Sequence, residues 1–127
     1  MDRSKSVLVV DDASLVRLYY RSILQGAGYQ VEEALNGLEA LEKLLSISVD
    51  LLIVDVNMPQ MDGFTFLDLL RQKERSIASI PALVTSTESR DIDIEAARKA
   101  GANYYLVKPV EREVLLEYVA LLCGTPP

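Results

Sequence analysis

Two aspartates, Asp11 and Asp12, stand directly against the apolar run Val7 to Val10 in "SVLVVDDAS". Like charges at the edge of a core repel, and the repulsion grows as water is excluded, so the pair is costly unless a cation or the surface relieves it. A third acid, Asp55, ends the run "DLLIVD"; Lys108 follows "NYYLV", and Thr85 closes "IPALVT". The chain has no histidine, which removes the commonest general base and the usual zinc ligand. Its single cysteine, Cys123 in "ALLCG", excludes an intrachain disulfide and reads as small apolar filler suited to a reducing compartment. The chemistry left is that of oxygen ligands, hydroxyls and lysine.

These residues need a scaffold that brings strand ends together. Short β-branched or leucine-rich runs alternate with longer segments of helical period, the pattern of parallel strands joined by crossover helices. The pattern predicts five strands, over 6–10, 30–34, 50–54, 80–85 and 103–107, each followed by a helix. Val16, Tyr20, Ile23, Leu24 and Ala27 mark the inward face of the first helix; Leu38, Leu41, Leu44 and Leu45 that of the second; Leu115, Val119 and Leu122 that of the fifth. "GAGY" (26–29) stops the first helix, Asp62 and Gly63 open the third, and Gly101 ends the fourth. The fourth helix, 89–100, has an apolar face of alanines and two isoleucines, so it is either a close-packed helix or one free to shift.

Asp11, Asp12, Asp55, Thr85 and Lys108 all fall at carboxyl ends of strands. In an open parallel sheet those ends share one rim, and ligands bind there at the point where strand order reverses. With the first and third strands adjacent, three carboxylates converge. Their repulsion is then useful, because magnesium prefers oxygen ligands and works with one or two carboxylates plus phosphate oxygens.

At 127 residues, half of them hydrophobic, the chain reads as one domain, residues 1–127, with only "GTPP" left beyond the fifth helix for any output unit. A net charge of −6 without a basic run argues against a nucleic-acid surface and against attraction to an anionic membrane. The polar "MDRSKS" start is no signal peptide and no run approaches a membrane span, so a cytoplasmic location is expected.

The stretch "DVNMPQMDG" (55–63), with "VLVVDD", "PALVTS" and "AGANYYLVKPV" at matching order and spacing, resembles the receiver domains of two-component response regulators across the whole chain. The resemblance implies an α/β fold, a doubly wound (βα)5 three-layer sandwich with a five-stranded parallel sheet of order 2-1-3-4-5, flavodoxin-like. It implies that Asp55 takes a phosphoryl group from a histidine kinase or a histidine phosphotransfer protein. It assigns Asp12 and Asp55 as direct Mg²⁺ ligands, Asn57 through its backbone carbonyl and Asp11 through water, with Mn²⁺ able to substitute. Lys108 would pair with Asp55 and then contact the phosphoryl oxygens, and its bond to Pro109 is expected to be cis.

By the same resemblance, Thr85 turns its hydroxyl toward the phosphoryl group, Ser86 keeps the approach open, and Tyr105 is the aromatic that moves inward with Thr85. Alternation places one of Tyr104 and Tyr105 inside and the other toward solvent. The kinase is expected on the first helix, and a downstream protein target on the fourth helix, fifth strand and fifth helix of a monomer or weak dimer. Asn57 and Thr87 flank the path of hydrolytic water. The chain would catalyse only its own phosphorylation and dephosphorylation. Rival readings are an aspartate-nucleophile phosphatase of the haloacid-dehalogenase type, a receiver-fold module that binds without phosphotransfer, and a flavin-binding protein. The first needs a second aspartate where Asn57 stands, and the last lacks its phosphate cradle in "DDAS".

Overall fold

The computed structural model describes residues 4–58 and 61–127; Pro59 and Gln60, inside the "DVNMPQMDG" stretch, and the first three residues of the polar start lie outside the described residues. The elements run β1 (Ser6–Val10), α1 (Ser14–Gly26), β2 (Gln30–Ala34), α2 (Gly37–Lys43), β3 (Leu51–Asp55), α3 (Gly63–Arg71), α4 (Arg75–Ala78), β4 (Ala82–Ser86), α5 (Asp91–Ala100), β5 (Tyr104–Val107) and α6 (Arg112–Cys123). All pairings are parallel and the strand order is β2-β1-β3-β4-β5.

Both faces of the sheet are covered, which is why the central strands are apolar without alternation. Leu8, Val10, Leu52, Val54 and Val84 point to a core with Ala40 of α2, Phe66 and Leu67 of α3 and Ala97 of α5. Val7, Val9, Leu51, Ile53 and Leu83 point to the opposite core, closed by Tyr20, Ile23 and Leu24 of α1 and by Leu115 and Val119 of α6. The expected inward faces of the first and last helices are therefore the observed ones, with Val16, Ala27 and Leu122 at their margins.

Two expectations are corrected. The described residues hold six helices, not five: the single turn α4 follows α3, so the predicted fourth and fifth helices are α5 and α6. Four residues cannot display a helical period, which is why the pattern passes over α4. The second helix is also narrower than its leucines suggest. It ends at Lys43, and Leu38 and Leu45 are 51% and 78% exposed, while Ala40 and Leu44 face the core. A helix of two turns offers room for little more than one inward residue per turn.

Caps follow local chemistry. Asp62 accepts from the Thr65 amide (2.8 Å) and opens α3; Asn36 accepts from the Glu39 amide (2.9 Å) and opens α2. Gly101 ends α5 at φ 112°, a left-handed conformation that a side chain would strain. No helix among the described residues is long and apolar enough to cross a membrane.

Candidate functional site

The register sets the site. Val10 lies opposite Val54 and Asp55 opposite Thr85, so the residues that end β1, β3 and β4 arrive at one rim. Asp11, Asp12 and Asp55 each offer an oxygen within 4.8 Å of the others'. Asp11 and Asp55 are 1% and 4% exposed, whereas Asp12 is open to solvent.

Asp11 is held from three sides. Its amide donates to the Ala34 carbonyl (3.1 Å), its Oδ1 accepts from the Ala13 amide (2.9 Å), and its carbonyl accepts from Arg17 Nη1 (2.6 Å). Arg17 is fixed in turn by Glu33 of β2 at 2.8 Å, which also takes Arg21 at 2.5 Å. Asp55 is positioned by its backbone. A Cβ at residue 63 would stand 2.5 Å from the Asp55 carbonyl oxygen, so only glycine lets the start of α3 come this close. The sequence pattern marks Gly63 as a helix opener and misses this second role; its signal is the fixed distance from Asp55. Arg17 carried no signal that a helical surface arginine lacks.

Lys108 reaches in from the end of β5. Its Nζ lies 3.0 Å from Asp55 Oδ1 and 3.1 Å from Asp11 Oδ2, one ammonium bridging two carboxylates, and the Lys108–Pro109 bond is cis. The pairing with Asp11 was not legible in the sequence. Burial pushes the Asp55 carboxyl above the ordinary range; the Lys108 hydrogen bond opposes this, and the Asp11 charge adds to it. Burial pulls Lys108 down, but the hydrogen bonds and charges of Asp55 and Asp11 overcome it and hold the ammonium above its usual value. Lys108 therefore gains from the arrangement and Asp55 does not, as expected when one cation is shared by two anions.

Thr85 is 0% exposed, and its Oγ1 is the buried side-chain oxygen without a hydrogen-bond partner among the described residues. Ser86 is 1% exposed and accepts from the Glu88 amide (3.1 Å). Tyr105 is half-buried against the α3 and α5 side, its hydroxyl donating to the Glu88 carbonyl (2.7 Å), while Tyr104 lies on the other face, 42% exposed and edge-on to Tyr118 at 5.0 Å. Asn57 and Thr87 are exposed at the rim.

The sequence from residue 7 to residue 120 matches the family model described as response regulator receiver domain. The chain belongs to that family. This receiver domain is 39% identical over 121 residues to the chemotaxis protein CheY1 of Helicobacter pylori, covering 94% of this chain and 97% of that one. It is 32% identical over 116 residues to the CAI-1 autoinducer sensor kinase/phosphatase CqsS of Vibrio cholerae, covering 91% of this chain and 17% of that longer protein. In structure it resembles chemotaxis protein CheY4 of Vibrio cholerae, with TM-score 0.89, 37% identity, and coverage of 94% of this chain and 99% of that chain. Receiver domains generally bind Mg²⁺, and the donor set here fits: three carboxylates with oxygens within 4.8 Å suit a hard cation and offer nothing to a soft one.

Proposed function

We propose that this receiver domain accepts a phosphoryl group on Asp55 from the phosphohistidine of a histidine kinase or histidine phosphotransfer protein, and that the acyl phosphate changes what its α5, β5 and α6 surface binds. One observation carries the reading: Lys108 Nζ spans Asp55 and Asp11 while the buried Thr85 hydroxyl beside them has no partner. Asp55 Oδ attacks phosphorus as the P–N bond breaks, and the imidazole leaves with the electron pair. A carboxylate is a weak nucleophile, so the work is positioning and charge neutralisation. Asp11, Asp12, Asp55 and the Asn57 carbonyl would hold a Mg²⁺, which would supply charge neutralisation for the transferring oxygens. Lys108 shifts from the Asp55 carboxylate to those oxygens, and Thr85 turns its proton toward them.

Inverting a 1:99 equilibrium takes about 5.5 kcal/mol, and one charge-assisted hydrogen bond contributes roughly 1.5–3 kcal/mol. Thr85 alone is insufficient; at about 2 kcal/mol each, Thr85, Lys108 and the cation together reach it. The target surface is supported by a cavity of about 250 Å³ lined by Ile94, Ala97, Tyr104 and Tyr105. Likeness to CheY1 and CheY4 favours a cytoplasmic chemotaxis role; likeness to CqsS supports a phosphorelay as the second reading. In either, the chain turns over no substrate but its own acyl phosphate.

The test is incubation with acetyl phosphate and MgCl₂ followed by intact mass. One phosphoryl adduct on wild type, absent from Asp55→Asn and suppressed by EDTA, is expected. An unlabelled wild type overturns the reading in favour of a module that binds without phosphotransfer, and turnover of phosphate monoesters would revive the phosphatase.

A further inference from the structure

The inward stripe of α1 is aliphatic except at position 20, where a phenol enters the core. Packing alone needs no hydroxyl there, and a buried Tyr O–H normally has a partner. Tyr20 is 2% exposed, on the face of the sheet that carries Ile53 and Leu83. Side chains alternate along a strand, so Asp55, two residues beyond Ile53, and Thr85, two beyond Leu83, share that face. The phenol consequently faces the site, lining one cavity with Lys108; burial pushes its pKa up to about 12, the Lys108 charge opposing this and the Asp11 charge adding to it, with smaller effects of Thr85 and Asp55. At neutral pH it is a donor. Among these groups Thr85 acts on the phenol through its side-chain hydroxyl, whose Oγ1 has no hydrogen-bond partner among the described residues.

Counting donors shows what activation requires. Phosphoryl oxygens only accept, so Thr85 must give them its single proton. Its own oxygen then keeps its lone pairs in the core, where an unmet acceptor is costly. Lys108 is committed to the carboxylates and then to the phosphoryl group. We propose that Tyr20 is a positioning residue of the switch, whose phenol donates to Thr85 Oγ1 when Thr85 donates to the phosphoryl group on Asp55, fixing the active rotamer from behind.

Space and anchorage favour this. A cavity of about 310 Å³ lined by Val16, Tyr19, Tyr20, Thr87, Lys108 and Pro109 adjoins the ring and leaves it room to turn. Tyr19, whose ring centroid is 5.7 Å from that of Tyr20, donates to the Val110 carbonyl (2.8 Å) and ties α1 to the loop that follows Lys108. In the resulting chain, Tyr20 to Thr85 to phosphoryl oxygen, the Thr85 hydroxyl both accepts and donates, and the two bonds polarise one another.

The inference rests on phosphorylation of Asp55 and is tested with beryllofluoride and MgCl₂ on the full chain, by calorimetry. Tyr20→Phe, which keeps the ring, should weaken beryllofluoride binding about three- to tenfold. In a Thr85→Ala background the same substitution should change binding by less than about twofold, because the acceptor is gone. Equal affinity of wild type and Tyr20→Phe overturns the proposal, as does an equal loss in both backgrounds, which is the signature of packing. Tyr20→Leu serves as a second variant: it should lose at least as much as Tyr20→Phe with Thr85 present. A wild type that takes no phosphoryl label and binds no beryllofluoride overturns the site reading along with this one. A wild type that does both, with Tyr20→Phe unimpaired, overturns only this one.

Discussion

Beside β2, α1 buries Tyr20, Ile23 and Leu24 and adds two arginines on Glu33; beside β5, α5 buries only Ala97 and Ala100 and leaves Ile92 and Ile94 70% and 40% exposed. A fully buried leucine or isoleucine contributes about 1.5–3 kcal/mol and a methyl group about 0.8. The α1 flank is thus held by apolar area. On the α5 flank one cation ties the C-cap of α5 to its surroundings: Arg71 of α3 donates to the carbonyls of Ala78 (2.8 Å), Ile80 (2.6 Å) and Gly101 (2.6 Å) and to Asn103 Oδ1 (3.2 Å). Burial lowers the Arg71 pKa, and no carboxylate faces it among the described ion pairs. Directional hydrogen bonds at one end of a helix leave the rest of it cheaper to move than a continuous apolar contact does. The flank that the proposed signal must shift is the one with less area to unbury.

Four substitutions break or sharpen that contrast. Leu24→Ala, at a site 0% exposed, should cost about 2–5 kcal/mol in urea unfolding, the largest effect expected. Arg71→Met keeps the stem but strands three carbonyls; it should cost about 2–3 kcal/mol and speed amide exchange in α5 well before α1. If both helices speed equally, the clamp is not what holds α5.

Asp55→Asn should have the opposite sign, a gain of about 1 kcal/mol at neutral pH. The folded state raises the Asp55 pKa above 3.8, so folding disfavours the ionised form, and wild-type stability is eroded as pH rises through the raised value. The gain should therefore vanish in acid. The smallest effect belongs to Glu33→Gln, about 0.5 kcal/mol, since the ion pairs are partly exposed. Burial works against Glu33, yet Arg17 and Arg21 depress its pKa below 4.5; its contribution is present above 4.5 and lost as pH falls through the depressed value. Wild type and Glu33→Gln should then converge in acid, as a pH series of thermal unfolding would register.

The five strands, their parallel sense and the polar residues at their ends were legible because each is written locally, an apolar run with a polar residue at its end; the strand order came only with the family resemblance. α4 was not, being shorter than any readable period, and Leu38 and Leu45 misled because a leucine does not announce that its helix has ended. Tyr20 read as core, correctly by burial, but nothing in the spacing of α1 told which polar groups its hydroxyl would reach.

By itself, the sequence determined which residue types end each strand and hence the chemistry on offer: oxygen ligands, one ammonium, one hydroxyl. Tertiary structure decided who meets whom. Lys108 and Asp11 are 97 positions apart and touch at 3.1 Å because β1 and β5 deliver their ends to one rim. Thr85, whose hydroxyl has no hydrogen-bond partner among the described residues, lies on the face of the sheet that Tyr20 of α1 covers. Local pattern encodes burial and period, whereas partnership between polar atoms depends on register, twist and packing summed over the whole sheet, which no single segment carries.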